Sequence, residues 1–301
     1  MKQLIIDGSN LIHRAHWIAE AHKNLSVYHL FLSSIKKLLV NFNTNKVFCT
    51  WDAKLVPDST NYRFKLTKNQ YKGNRDRERN EKVHASQDVL VSMLECLGIK
   101  NIFPGVLEAD DVIYWLCKHN LPNEEKVIVS ADQDLLQLID ENVSVYSPIK
   151  DIIIDSSNFE LHTKVTIEQF VDYKSLMGDK SDNIPGIPGC GPKTARKYIK
   201  NGIKSSLSKK NYNLYKLARR VVDLTQGIKE HPGDADIYEE QTRKMDNLKP
   251  DLDRFKMVCE SYNLNQMISN ISTFRRILNQ VNTDQVIENT VADLVKRLNL
   301  A

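Results

Sequence analysis

Cysteine is scarce in this chain and poorly spaced for chemistry. The 301 residues hold five, at positions 49, 96, 117, 190 and 259. No two form a C-x-x-C pair and the count is odd, which argues against both a thiolate zinc site and a disulfide framework. Long apolar runs are missing too. No stretch approaches the roughly 18 residues of a membrane span, and the opening MKQLIIDGSN lacks the apolar core of a secretory signal. A cytoplasmic protein with no membrane partner is the expectation. There is no G-x-G-x-x-G after a strand-like run, so a dinucleotide site is unsupported. GIPGCGPKT has the flavour of a phosphate loop, but Pro192 separates Gly191 from Lys193 and no strand precedes it. His13 and His16 lack the i,i+4 spacing and the further nitrogen ligands of a histidine metal site. Internal repeats and low-complexity tracts are absent as well.

What is present suits a folded chain. Hydrophobic residues make up 41% and charged residues 27%, enough core for one large domain or two modest ones. Strand-like runs fall at Leu4–Asp7, Lys46–Trp51, Lys100–Phe103, Lys126–Ser130, Val143–Tyr146 and Ile152–Ile154. Helical periodicity fills Asn10–His22, Ser26–Phe42, Val83–Leu97 and Ala109–His119. This alternation predicts an α/β fold, with a mostly parallel central sheet flanked by helices. From about Thr166 the strand signal fades and helices dominate. A boundary near residue 175 divides the chain into an α/β core (1–175) and a helical C-terminal region (176–301).

Carboxylates cluster where the strands end. LIID delivers Asp7, VFCTWD delivers Asp52, and VIVSADQD delivers Asp132 and Asp134. In a parallel sheet these ends lie on one edge, where open α/β sheets bind their ligands. VLEADDV sets Glu108, Asp110 and Asp111 at a helix start, and MGDKSDN adds Asp179 and Asp182, spaced to share a helical face. Each group alone reads equally well as a helix cap. Together, such a concentration of negative charge needs cations, and hard oxygen donors suit Mg²⁺ or Mn²⁺. Two such ions would support phosphodiester hydrolysis.

Basic charge is segregated as well. Residues 57–84 form a long polar, basic connection, and residues 183–222 hold ten Lys or Arg with no Asp or Glu. One sign held over that length points to a polyanion partner. In DNIPGIPGCGPKTARKYIK, Gly186, Gly189 and Gly191 allow close backbone approach to phosphates ahead of a helix N-terminus. Lys193, Arg196, Lys197 and Lys200 add charge beyond it.

IIDGSNLIHRAH, YKGNR, GVLEADDVI, VSADQDLLQL and LMGDKSDNIPGIPGCGPKTA, in that order, resemble the structure-specific 5′ nuclease family: flap endonucleases, 5′-to-3′ exonucleases and the nuclease domain of bacterial DNA polymerase I. The resemblance runs from residue 1 to about 225 and leaves the last 75 or so residues weakly matched. It implies a two-metal hydrolase whose metal ligands are Asp7, Asp52, Glu108, Asp110, Asp111, Asp132, Asp134, Asp179 and Asp182. It also implies a helical arch over about 57–84, in which Lys72 and Arg75 face the scissile phosphate and Tyr71 stacks on an unpaired base. The segment at about 183–202, with Thr194 among its contacts, resembles the family's helix-three-turn-helix clamp, which reads phosphates and shape and holds a monovalent cation such as K⁺. Arg14 matches a position that approaches substrate. The substrates implied are branched or 5′-flap DNA and RNA–DNA junctions, cut by a monomer during replication or repair, with primer removal among its tasks. No tail for a sliding clamp is visible, although other replication proteins remain candidate partners. With no polymerase domain, a freestanding, bacteriophage-type enzyme is expected, acting in the bacterial cytoplasm. The alternatives are an RNA-directed nuclease on a related acidic fold, which the glycine-rich clamp disfavours, and a non-catalytic branched-DNA-binding protein, which the complete acid set disfavours.

Overall fold

The computed structural model describes residues 2–22, 25–53, 60–68, 70–72 and 77–279, the side chains of 77–80 excepted. Of the expected arch over 57–84, Arg75 lies outside these residues, as do positions 57–59, 69, 73, 74 and 76. β1 (Gln3–Asp7) is buried along its whole length and forms the middle of a six-stranded sheet. The other strands are β2 (Val47–Thr50), β3 (Lys100–Ile102), β4 (Lys126–Val129), β5 (Val143–Ser147) and β6 (Ile152–Ile154). Their order is β3-β2-β1-β4-β5-β6, parallel except for the antiparallel pairing of β6 on β5. A strand buried on both faces needs apolar side chains at successive positions rather than alternate ones, and LII in β1 and VIV in β4 supply them.

Alternate side chains of these strands feed two cores. Leu4, Ile6, Val127 and Val129 pack with Leu11, Phe31, Leu32 and Met93 from α1 (Gly8–Ala21), α2 (Val27–Phe42) and α4 (Arg77–Cys96). Ile5, Phe48 and Ile128 pack on the opposite face with Val112, Leu116 and Phe159. α3 (Tyr62–Leu66) lies between β2 and α4, and α5 (Ala109–Trp115) follows β3. No described helix is long and apolar enough to cross a membrane.

The helical part begins with α6 (Phe159–Thr163) and α7 (Ile167–Met177), then turns through a two-stranded hairpin of β7 (Gly178–Asp179) and β8 (Ile184–Pro185). Next come α8 (Pro192–Asn201), α9 (Ile203–Ser206), α10 (Lys209–Val222), α11 (Thr225–Glu230) and α12 (Gly233–Lys244). Proline at the first position of α8 has no N–H to leave unpaired there.

The last described helices depart from the expected two-part division. Phe255 and Cys259 of α13 (Leu252–Ser261), Met267 of α14 (Asn265–Ser269) and the following Phe274 and Leu278 join the core of β1, α2 and α4. The end of the described chain therefore packs with the α/β layer, not with a separate C-terminal region. Its apolar positions have a partner hundreds of residues earlier, which local periodicity does not reveal.

Candidate active site

The parallel register brings the ends of β1, β2 and β4 to one edge. Asp7 closes β1, and its two oxygens accept hydrogen bonds from the Asn10 N–H (2.8 Å) and the Ser130 hydroxyl (2.7 Å). β1 and β4 are thus tied at their C-terminal ends. The Asp52 N–H donates to the Ser9 hydroxyl (2.7 Å), while Asp52 Oδ1 accepts from the N–H of Ala109 (3.0 Å), the first residue of α5. After β4, Asp132 Oδ1 accepts from the Asp134 N–H (2.8 Å), turning the chain into a short 3₁₀ segment, Asp134–Leu138.

Tyr71 joins two acids from distant segments. Its hydroxyl donates to Glu108 Oε2 (2.8 Å) and lies 3.4 Å from Asp182 Oδ2. The Lys72 ammonium is 2.5 Å from Glu108 Oε1, and the Lys72 N–H donates to the Asp182 carbonyl (3.0 Å). The Lys174 ammonium bridges Asp134 and Asp179, at 2.8 Å from each.

The electrostatics follow from this packing. Burial, with the charges of Asp52 and Asp132 added, pushes Asp7 up to about 7 despite its two hydrogen bonds. Burial and the Asp132 and Asp7 charges raise Asp110 well above the ordinary carboxylate range. Burial raises Asp132, and burial with the Asp132 charge lifts Asp134 to about 6. Burial acts on Glu108 in the same direction, but Lys72 and Arg63 outweigh it and hold that carboxyl at about 2. Among the described residues no three His, Cys, Asp or Glu side chains stand ready to hold an ion. The donor chemistry nonetheless fits a divalent cation: Asp7, Asp110 and Asp132 are hard oxygen ligands whose shared excess of negative charge a cation would relieve.

Several expected residues sit differently. Asp111 is fully buried, and both its oxygens take hydrogen bonds from Arg63 (2.6 and 2.8 Å). It is a partner of arginine here rather than a member of the facing acids. Tyr71 is 3% exposed, so its ring does not offer a stacking surface. Its hydroxyl is spent on Glu108 because the ring is buried with Phe64 and Ile184. Asp179 and Asp182 lie in the β7–β8 hairpin, not on one helical face. Gly186 is close to its own chain rather than free for phosphate: a Cβ there would lie 2.1 Å from the Met177 carbonyl oxygen. Gly189 and Gly191 do face open space, ahead of an α8 that buries only Ala195. Lys193 and Lys197 are exposed on that helix, and Thr194 and Arg196 are half-buried. Arg14 is half-buried on α1, within electrostatic reach of Tyr146 on β5.

Sequence reasoning missed Arg63, Lys174 and Ser130. The first two carry the wrong charge to be sought among metal ligands, and Ser130 is one hydroxyl in a strand. A lysine three residues ahead of the MGDKSD motif, on a helix that also buries Phe170 and Leu176, was the available signal for Lys174.

Residues 2–169 match the family described as 5′-3′ exonuclease, N-terminal resolvase-like domain, and residues 165–240 match 5′-3′ exonuclease, C-terminal SAM fold. The chain belongs to the 5′-3′ exonuclease family. It is 33% identical over 207 residues to a 5′-3′ exonuclease of Mycoplasmopsis pulmonis, spanning 66% of each chain. It is 35% identical over 201 residues to the flap endonuclease Xni of Shewanella woodyi, spanning 65% of this chain and 76% of that one. The chain thus spans about two thirds of the length of these curated relatives. In structure it is similar to the T5 5′-exonuclease solved with bound zinc, with a TM-score of 0.67 at 20% identity, covering 82% of this chain and 99% of that one. That likeness is one of fold: an α/β layer with a mostly parallel sheet, followed by the helical SAM-type region.

Proposed function

We propose that this exonuclease-family chain hydrolyses phosphodiesters at single-strand/double-strand junctions, removing 5′ flaps and primers, and that it does so with two divalent ions. The observation that carries this reading is the convergence of Asp7, Asp110 and Asp132: three carboxylates from three segments, the first buried and the others half-buried, within each other's electrostatic reach. Bound Mg²⁺ or Mn²⁺ would supply Lewis acidity, water activation and stabilisation of the leaving oxygen. Asp7, Asp52, Glu108, Asp110 and Asp132 are the residues to hold ions on the strand side, and Asp134, Asp179 and Asp182 on the hairpin side.

The chain's own groups do the rest. Ser130 and Asn10 orient the Asp7 carboxylate. Tyr71 and Lys72 orient Glu108, and Lys72 sets a positive charge beside the acids to offset charge developing on the scissile phosphate. The open N-terminal turn of α8 and its lysines hold the duplex backbone without reading sequence. A T5 flap endonuclease of similar fold has been solved with DNA and metal ions, which supports a metal-assisted reading. Replacing Asp132→Asn together with Asp134→Asn tests it: flap cleavage in Mn²⁺ should be abolished while flap affinity stays within about threefold, because phosphates are bound elsewhere. Cleavage at the wild-type rate would sink the metal-site reading.

A further inference from the structure

Arg63 is 1% exposed and sits at the junction of three parts of the molecule. Its guanidinium forks onto both oxygens of Asp111 (2.6 and 2.8 Å), lies 3.4 Å from Glu108 Oε2, and donates through Nε to the Val221 carbonyl (3.2 Å) in the last turn of α10. Its charged face stacks over the Tyr62 ring, 4.9 Å from the centroid. Asp111 in turn accepts the Glu108 N–H (3.1 Å). The chain of contact therefore runs from α10 through Arg63 and Asp111 to the backbone of Glu108.

Two further contacts brace the same loop from the C-terminal helices. Asp234 of α12 accepts the N–H groups of Gly105, Val106 and Leu107 at 3.0–3.1 Å. Gly227 of α11 lies against Asp111 so closely that a Cβ there would fall 2.1 Å from Asp111 Oδ1. Gly227 thus closes one side of the Asp111 carboxylate.

We propose that Arg63 is a positioning residue for the reaction. By fixing Asp111 it fixes the Glu108 backbone, and so sets the direction in which the Glu108 carboxylate meets Lys72, Tyr71 and an ion. This inference rests on the nuclease reading above and names the group that aims one of its acids. Stability alone does not account for the arrangement. A buried ion pair is commonly replaced by apolar residues of similar volume without loss of stability. An apolar pair supplies no acceptor for the Glu108 N–H, and lysine supplies no planar fork for two oxygens.

The test uses Arg63→Met combined with Asp111→Leu, and separately Arg63→Lys, each in the full chain. Three quantities are read: thermal unfolding, Mn²⁺ affinity by calorimetry, and single-turnover cleavage of a 5′-flap duplex at saturating enzyme. The double variant should unfold within a few degrees of wild type and bind the flap within about threefold. Its Mn²⁺ affinity and saturated cleavage rate should both drop by about 10- to 100-fold, the usual cost of losing a group behind a metal ligand. Arg63→Lys should keep the fold and fail to restore the rate. A folded double variant, or a folded Arg63→Lys, with Mn²⁺ affinity and rate within about twofold of wild type overturns the proposal. Loss of the fold in both variants also overturns it, since the pair would then serve the fold itself. A wild-type protein that cleaves no flap with Mn²⁺ would instead overturn the nuclease reading.

Discussion

The ammonium nitrogen of Lys174 lies 2.8 Å from Oδ1 of Asp134, with both side chains largely shielded from water. The same nitrogen is 2.8 Å from Asp179, so one internal cation neutralises part of two acids. Removing it as Lys174→Met leaves two largely shielded carboxylates within reach of each other's charge. The metal-free protein should lose about 3 kcal/mol, the usual cost of breaking a buried pair from one side. Mn²⁺ should then stabilise the variant more than it stabilises wild type, because an ion replaces the missing charge. Thermal unfolding with and without Mn²⁺ reads both effects, and an unchanged metal-free midpoint would refute the first.

The raised acids give a pH dependence of definite sign. Asp7 titrates at about 7 and Asp134 at about 6, above the roughly 3.9 of an unfolded aspartate. The metal-free fold therefore holds these protons more tightly than the unfolded chain does. The stability they contribute is complete below about pH 4 and is lost as pH rises through about 6 and about 7. Glu108 and Asp179 are shifted downward and act only at more acid pH. The metal-free melting point should fall as pH rises from about 4 to about 7 and level off above that, where these groups are ionised in the folded and unfolded chain alike. Mn²⁺ affinity should move the other way, tightening over the same span, since the ion needs the ionised ligands. A Mn²⁺ affinity flat across that range would contradict the assignment of Asp7 and Asp134.

Lys72 pairs with Glu108 at 2.5 Å inside the acid cluster. Lys72→Ala should lower single-turnover flap cleavage at saturating enzyme by about 10²- to 10³-fold, with a smaller change in dissociation constant. A rate within about twofold of wild type at saturation, with affinity alone reduced, would assign Lys72 to binding.

Lys193 and Lys197 are exposed on α8 beyond the open Gly189–Gly191 turn. Lys193→Ala with Lys197→Ala should weaken duplex binding about equally across sequences. Each lost phosphate contact should flatten the log–log salt dependence by about 0.9. An unchanged slope would remove both lysines from the interface.

The sheet was legible because its signal is local. LIID, VFCT and VIV announce buried strands, and an acid at each end marks the edge once parallel order is inferred. The acid-bearing segments were legible for the same reason, since each is a short run of adjacent residues. What was not legible depends on partners far apart in sequence. Arg63 and Asp111 are 48 positions apart, and Asp234 meets Leu107 across 127. Nothing near Asp111 distinguishes it from Asp110, yet one is locked to an arginine and the other faces Asp7 and Asp132. Tyr71 misled for a related reason: beside a lysine in a polar stretch it reads as exposed, and only Phe64 and Ile184 reveal that it is interior.

The return of α13 and α14 to the first core bears on how the protein is made. Leu4 and Ile6 precede Phe255, Phe274 and Leu278 by roughly 250 positions or more in the chain, yet they share a core with them. A ribosome must translate almost the whole described chain before that core has all its side chains. Until then the strand that carries Asp7 lacks part of its support. A chain cut short near residue 250 would be a protein missing interior, not one missing a tail, and quality-control proteases would meet exposed core rather than a trimmed enzyme.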